Sequence, residues 1–298
     1  MNSIKQIFTV VAYNFRGWHK NLRIIITFLL TFILCFLLCD KVLVFADKTG
    51  TILQIFEPFI WTFGDSNSVL LISVLLMLLF VDMPFISTAT PFYLMRTTRK
   101  IWLIGQGVYI VIATLIDLLF ILLSTAVLCM GNSFIGNQWS DAAATLGYSG
   151  LGKKIAVPAL VKTLEMSTPY EATLAIFLLI LLYTLFMVFI MLLFNIMKGP
   201  LWGNISVIVF SLYGFLLKPT FFINVLKLPQ ALIYKANVLV GWISPLNHAT
   251  YHMHNFGYDE LPTLKDTYVF FTIGILVCFF LTLLRMKKYN FNFTGTEE

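Results

Sequence analysis

Six runs of mostly apolar residues, each at least about 18 long, occupy nearly half of this chain. They are Arg23 to Phe45, Val69 to Met95, Ile101 to Met130, Ala172 to Met197, Ile205 to about Phe222, and Thr267 to Leu284. A run of this kind is long enough to cross the hydrocarbon core of a bilayer as a helix. In water the same surface could not be hidden: 59% of the 298 residues are hydrophobic and 11% are charged. A soluble domain carries about 25% charged residues. The expected fold is therefore an all-α polytopic membrane protein with six transmembrane helices.

Lys and Arg in the flanks set the orientation. Lys5, Arg16, Lys20 and Arg23 precede the first run, with no acid among them. Arg96, Arg99 and Lys100 fill the short turn after the second, Lys198 follows the fourth, and Arg285, Lys287 and Lys288 follow the sixth. Segments on the opposite side mix both signs, as in Lys153, Lys154 and Lys162 beside Asp141, Glu165 and Glu171. The expected topology is multi-pass in the plasma membrane with both termini cytoplasmic. The net charge of +6 then belongs to a membrane surface and not to nucleic acid. The four cysteines, Cys35, Cys39, Cys129 and Cys278, lie inside apolar runs and imply no disulfide framework.

Three features lie beyond the spans themselves. Ile4, Ile7, Phe8, Val11, Phe15 and Trp18 share one arc at about 100° per residue, with Lys5, Arg16 and Lys20 opposite. Residues 1–22 thus read as an interfacial helix, an elbow lying on the inner leaflet. Residues 23–290 form the six-span domain and 291–298 a cytoplasmic tail. Between the fifth and sixth runs, Lys218 to Asn255 contains two short apolar pieces, Phe221 to Leu228 and Ala231 to Ile243. Pro229 splits them and Pro245 ends the second. Neither is long enough to cross, so they are expected as re-entrant or interfacial helices.

The third feature is charge within the runs: Asp82, Asp117 and Lys218. Counting inward at 1.5 Å per residue puts all three at a similar depth of about 20–24 Å. Charge there is costly and seeks a partner or a wet cavity. Lys218 is expected to pair with Asp82 or Asp117, as an architectural pair or as the lining of a substrate path. Pro84 should kink the second span.

Catalytic and metal-binding patterns are weak. Gly147 to Lys154 matches the spacing of a phosphate-binding loop, but Lys154 stands where Ser or Thr should hold magnesium and no strand precedes it. His248, His252 and His254 cluster without a cysteine nearby, and His-Ala-Thr-Tyr-His is not a zinc-protease helix. No catalytic residue, bound cofactor or metal is expected in this chain.

Taken together these parts resemble the permease subunits of type-2 ABC exporters. The elbow at Ile4 to Trp18, the segment Phe92-Tyr-Leu-Met-Arg96-Thr-Thr-Arg99-Lys-Ile-Trp102, and Trp242-Ile-Ser-Pro245-Leu-Asn carry the likeness, which spans nearly the whole chain. The likeness is one of layout more than of invariant residues, and Gly131 to Tyr170 is longer than the simplest members carry. The resemblance implies a separate ATP-binding subunit holding ATP and magnesium. It implies docking of that subunit at Arg96, Thr97, Thr98, Arg99 and Lys100 and at the elbow, where Phe8, Phe15 and Trp18 anchor the helix. It also implies a second permease chain completing the path. Two other readings compete: a permease-like sensing or immunity module for membrane-active peptides, and a polytopic membrane enzyme using Asp82 and Asp117 as an aspartyl pair. The substrate is left open. Composition rich in Phe, Ile, Lys and Asn points to a bacterium.

Overall fold

In the computed structural model the described residues are 3–86, 90–95, 97–227, 229 and 232–289. Arg96 and the tail 291–298 lie outside them. The chain is mostly helical. Four helices are long and apolar enough to cross a membrane: α2 (Leu22–Thr49), α6 (Arg99–Cys129), α10 (Pro169–Lys198) and α15 (Leu264–Arg285). Two bent pairs could each make a further span. They are α3 (Glu57–Phe63) with α4 (Ser66–Leu76), bent by 91°, and α11 (Pro200–Leu216) with α12 (Pro219–Leu226), bent by 79°. The architecture thus holds four to six candidate spans, and these apolar helices are compatible with a membrane protein.

The centre of the bundle is α10. In its most apolar stretch 72% is buried, against 28% for α2 and 17% for α15. Its start is fixed locally: Pro169 stands in the first turn and Glu171 accepts a hydrogen bond from the Thr168 N–H at 3.0 Å. Gly199, at φ +102°, turns the chain into α11, a conformation L side chains rarely adopt. The two helices then run in close contact, because a Cβ on Gly203 would overlap the Asn195 side chain. On the other side Gly274 of α15 sits against Phe186, and Phe186, Tyr183, Phe210 and Phe271 form one aromatic cluster across the three helices. Small residues at such contacts let helices approach where lipid offers no hydrophobic drive for association.

The second apolar run is not one helix. α4 ends at Leu76, a 3-10 turn covers Met77–Leu79, and the short α5 (Thr90–Leu94) follows only after an irregular stretch. Pro84 explains the break: it cannot donate an N–H, and Met83 before it is disfavoured in helical conformation. The Met83 carbonyl, which no helical N–H reaches, accepts from Asn195 Nδ2 of α10 at 2.5 Å. The fifth run also stops early. α11 ends at Leu216, and Pro219 restarts the chain in a new direction as α12. α12 and α13 (Ile233–Ile243) pack together, and α14 (Pro245–Ala249) follows. The two short pieces therefore form as helices, divided and ended where the prolines fall.

At one end of the bundle, residues 131–168 fold over α2 and α3. Two-residue strands β1 (Leu53–Gln54) and β2 (Ser133–Phe134) pair in parallel. Helices α7 (Asp141–Tyr148), α8 (Leu151–Lys154) and α9 (Val161–Met166) complete the layer. Gly147 lies inside α7, so Gly147 to Lys154 lacks the strand-loop-helix geometry of a phosphate cradle. Glu57 fastens this layer. Fully buried, it accepts from Ser140 N at 2.8 Å, Ser140 Oγ at 2.6 Å and Gln54 N at 3.3 Å. Ser140 Oγ in turn caps α7 by accepting from Ala143 N at 3.1 Å. Replacing Glu57 with Ala leaves three buried donors without an acceptor, a loss of about 3 kcal/mol or more. Glu57→Ala is expected to loosen residues 133–168 selectively, and limited proteolysis in detergent should show early cuts there with α10 and α15 intact.

Candidate functional site

The end of the bundle opposite that layer gathers the first and last helical segments among the described residues. α1 (Ser3–Arg16) lies across the first half of α6, with Val10 pressed on Gly105, where a Cβ would come within 2.8 Å of it. Asn14 Nδ2 donates to Gln106 Oε1 at 3.0 Å, and Trp18 Nε1 donates to Tyr109 Oη at 2.9 Å. Phe15 and Trp18 stack together with Tyr109. The apolar arc of α1 is therefore divided. Val10, Val11, Phe15 and Trp18 face protein, whereas Ile4 and Phe8 are 60% and 58% exposed.

The basic turn adjoins this helix. Thr98 starts α6 by accepting from Ile101 N through Oγ1 at 3.3 Å. Arg99 Nη1 donates to the Tyr289 carbonyl at 3.2 Å, which ties the start of α6 to the end of α15. Arg99, Lys100 and Thr98 are exposed and Thr97 is half-buried. Met95 just before them is 77% exposed. The turn thus presents cations and an apolar side chain on the same surface as α1 and the chain's last helical turn.

The charges within the apolar runs do not meet as expected. Asp82 lies in the irregular stretch after α4 and pairs with Arg23 in the first turn of α2. Asp117 is fully buried midway along α6, and among the described residues neither carboxyl oxygen has a hydrogen-bond partner. Cys35 of α2 lies within electrostatic range of it. Lys218 stands at the bend before α12, with Nζ 5.9 Å from the Phe215 ring centre. The chain stops being helical before Pro84 and turns at Pro219, so a depth counted along continuous helices does not carry over to Asp82 and Lys218. Asp82 thus meets Arg23, and among the described residues it shares no hydrogen bond with Asp117. Sequence reasoning used Arg23 only as an orientation charge and passed over Gln106 and Asn195. All three are strongly polar residues at or inside apolar runs, a signal that could have singled them out.

The histidine cluster is bound up in hydrogen bonds. Thr267 Oγ1 meets His248 Nδ1 at 2.7 Å and His254 Nε2 at 3.0 Å. The other ring nitrogens face the carbonyls of Trp242 and Tyr251 at 3.1 and 3.0 Å, and His252 Nδ1 faces that of Gly64 at 3.2 Å. Among the described residues no group of three His, Cys, Asp or Glu is placed to hold a metal. Thr267 has one proton to share between two imidazoles, so with both rings neutral one contact lacks a proton. Burial nonetheless dominates and pushes His254 down to about 4, partly opposed by its bond to the Tyr251 carbonyl.

No family model, curated protein or solved structure matches this chain. What the fold and this end of the bundle define is a helical protein with four to six candidate membrane spans.

Two outcomes are expected. A histidine held neutral by burial favours the fold fully above its ordinary value near 6.5, and that contribution is lost as pH falls toward about 4. The unfolding midpoint in detergent should fall through this window, and less steeply in His254→Gln. Asp117→Asn removes a buried carboxyl that has no donor. It should leave the midpoint unchanged or higher, and a clear drop would mean that the carboxylate has a partner.

Proposed function

We propose that this chain is the permease subunit of an ATP-driven ABC exporter, working with a separate ATP-binding subunit and a second permease chain. The observation that carries the reading is the placement of α1, the exposed basic turn at Thr97–Lys100 and the end of α15 on one surface. Six spans, a cytoplasmic surface at this end, an elbow on the inner leaflet and a bacterial plasma membrane complete the reading. The positive-inside bias supports the orientation. The paired helices α12 and α13 support it too, since short apolar helices between two spans suit a dip into the far leaflet.

The physical outline is mechanical. This chain supplies no nucleotide chemistry in this reading. ATP and magnesium sit in the partner, whose movement pushes on the basic turn. α6 starts at that turn and is gripped by α1 and by Tyr289, so a displacement there is passed to a helix of 31 residues. The breaks at Gly64 and near Pro84 let the α3–α4 segment shift without bending a continuous helix.

A second reading has its own support. The layer of α7 to α9 encloses a hollow of about 530 Å3 bordered by Gly147, Ser149, Val161, Lys162 and His252. A module that detects a membrane-active peptide could use that surface with no motor.

Purification of the tagged chain in mild detergent separates the two. The exporter reading expects a stoichiometric ATP-binding subunit with ATPase activity. Arg96→Ala with Arg99→Ala and Lys100→Ala should weaken its retention about tenfold or more. A chain that purifies without an ATPase and binds peptide would replace the exporter with the sensor.

A further inference from the structure

A cavity of about 740 Å3 opens where the 3-10 turn Trp18–Lys20 passes between α1, α2 and α6. Arg16, His19 and Lys20 line it with Asn14 and Asn21. Ile24 and Phe85 add an apolar wall. Behind the polar lining, and not themselves part of it, stand two side chains whose buried donors have no acceptor among the described residues. Gln106 is fully buried; its Oε1 is taken by Asn14, and its Nε2 has no partner. Arg23 gives Nη1 to Asp82, while its buried Nε and Nη2 have no partner. Its backbone N–H is held by Asn21 Oδ1 at 3.1 Å, which places it beside the same wall.

The imbalance has one sign. Arg16 and Lys20 line the cavity, no Asp or Glu is among its described lining residues, and the nearby Arg23 is already faced by Asp82. The unpartnered atoms of Gln106 and Arg23 are N–H donors. Buried donors left without acceptors are costly and rare, and a negatively charged ligand rich in acceptor oxygens complements the cationic lining beside them. A phosphate group fits that description. The apolar wall and the neighbouring exposed Ile4 and Phe8 suit a phosphate carried by a lipid.

We propose that this cavity binds the phosphate of an anionic lipid of the inner leaflet. The inference rests on reading this end of the bundle as the cytoplasmic one. It requires neither the ATP-binding subunit nor transport.

Lipid retention tests it on the full chain. The protein is placed in nanodiscs of phosphatidylcholine with phosphatidylglycerol, released, and weighed by native mass spectrometry. The wild type should retain phosphatidylglycerol. Arg16→Gln with Lys20→Gln, both exposed positions, should lower that retention about tenfold or more. Arg285→Gln with Lys287→Gln removes two cations outside the cavity and should change it little. Gln106→Leu, which alters no charge, should also weaken retention. An equal loss in the two charge-neutralised variants would mean general attraction to the surface and would overturn the site. Unchanged retention in Arg16→Gln with Lys20→Gln would do the same. Thermal stabilisation in detergent gives the second arm. Phosphatidylglycerol should stabilise the wild type more than inorganic phosphate at equal ionic strength. The reverse order would assign the cavity to a soluble phosphate and overturn the lipid proposal.

Discussion

The contacts of α10 with α11 and α15 set the positions of most other elements. If lipid surrounds the bundle, burying apolar side chains between helices gains little, because the tails are equally apolar. Shape must then decide which helices touch. Gly203 lets α11 close on Asn195, and Gly274 lets α15 close on Phe186. A side chain at Gly203 would collide with the group that also holds the Met83 carbonyl. One close approach therefore governs two things at once, the spacing of α10 and α11 and the anchoring of the broken segment after α4.

That broken segment shows how irregular backbone is kept inside an apolar bundle. Each exposed carbonyl or N–H needs a partner when water is absent. Asn195 supplies one near Pro84, Ser244 Oγ reaches the Gly214 carbonyl at 3.3 Å near the α11 bend, and Glu57 collects three donors under the far layer. Asn195 and Ser244 each compensate for a helix that stops, whereas Glu57 serves N–H and O–H groups that precede α3 and α7. The price is rigidity of position: Glu57, Asn195 and Ser244 are almost fully buried and leave little freedom for substitution.

The four long helices were legible because nothing competes with a run of apolar residues bounded by charge or proline. Pro169, Thr98 and Gly199 even mark their ends. The full extent of the breaks in the second and fifth runs was hidden for the opposite reason: hydropathy registers composition but not direction, and a proline such as Pro84 announces a kink but not how far the helix stops short of it. The division at Pro229 and the end before Pro245 were visible because proline acts on the backbone locally. Partners across the bundle were not visible. Asp82 finds Arg23 and not Lys218, and only three-dimensional placement decides among several opposite charges. The elbow's amphipathic arc was readable, but not its division between protein and surroundings. One apolar stripe cannot say how much of it meets Gly105 and how much meets lipid.

The outer surfaces of α11 and α15 add a constraint on any assembly. Leu201, Ile208, Val209 and Leu216 project from α11, and Val269, Ile273, Leu276 and Phe280 from α15. A bilayer satisfies these as well as a second chain does, so their exposure does not by itself call for a protein partner. Between α10 and α11 lies a hollow of about 430 Å3 lined by Phe194, Trp202, Ile205, Ser206, Val209 and Tyr213. Ser206 already donates to the Gly203 carbonyl at 2.6 Å, which leaves the hollow almost wholly apolar. If two chains form a common path, their register must come from the few shaped or polar features of this kind. The broad apolar faces would accept any register equally.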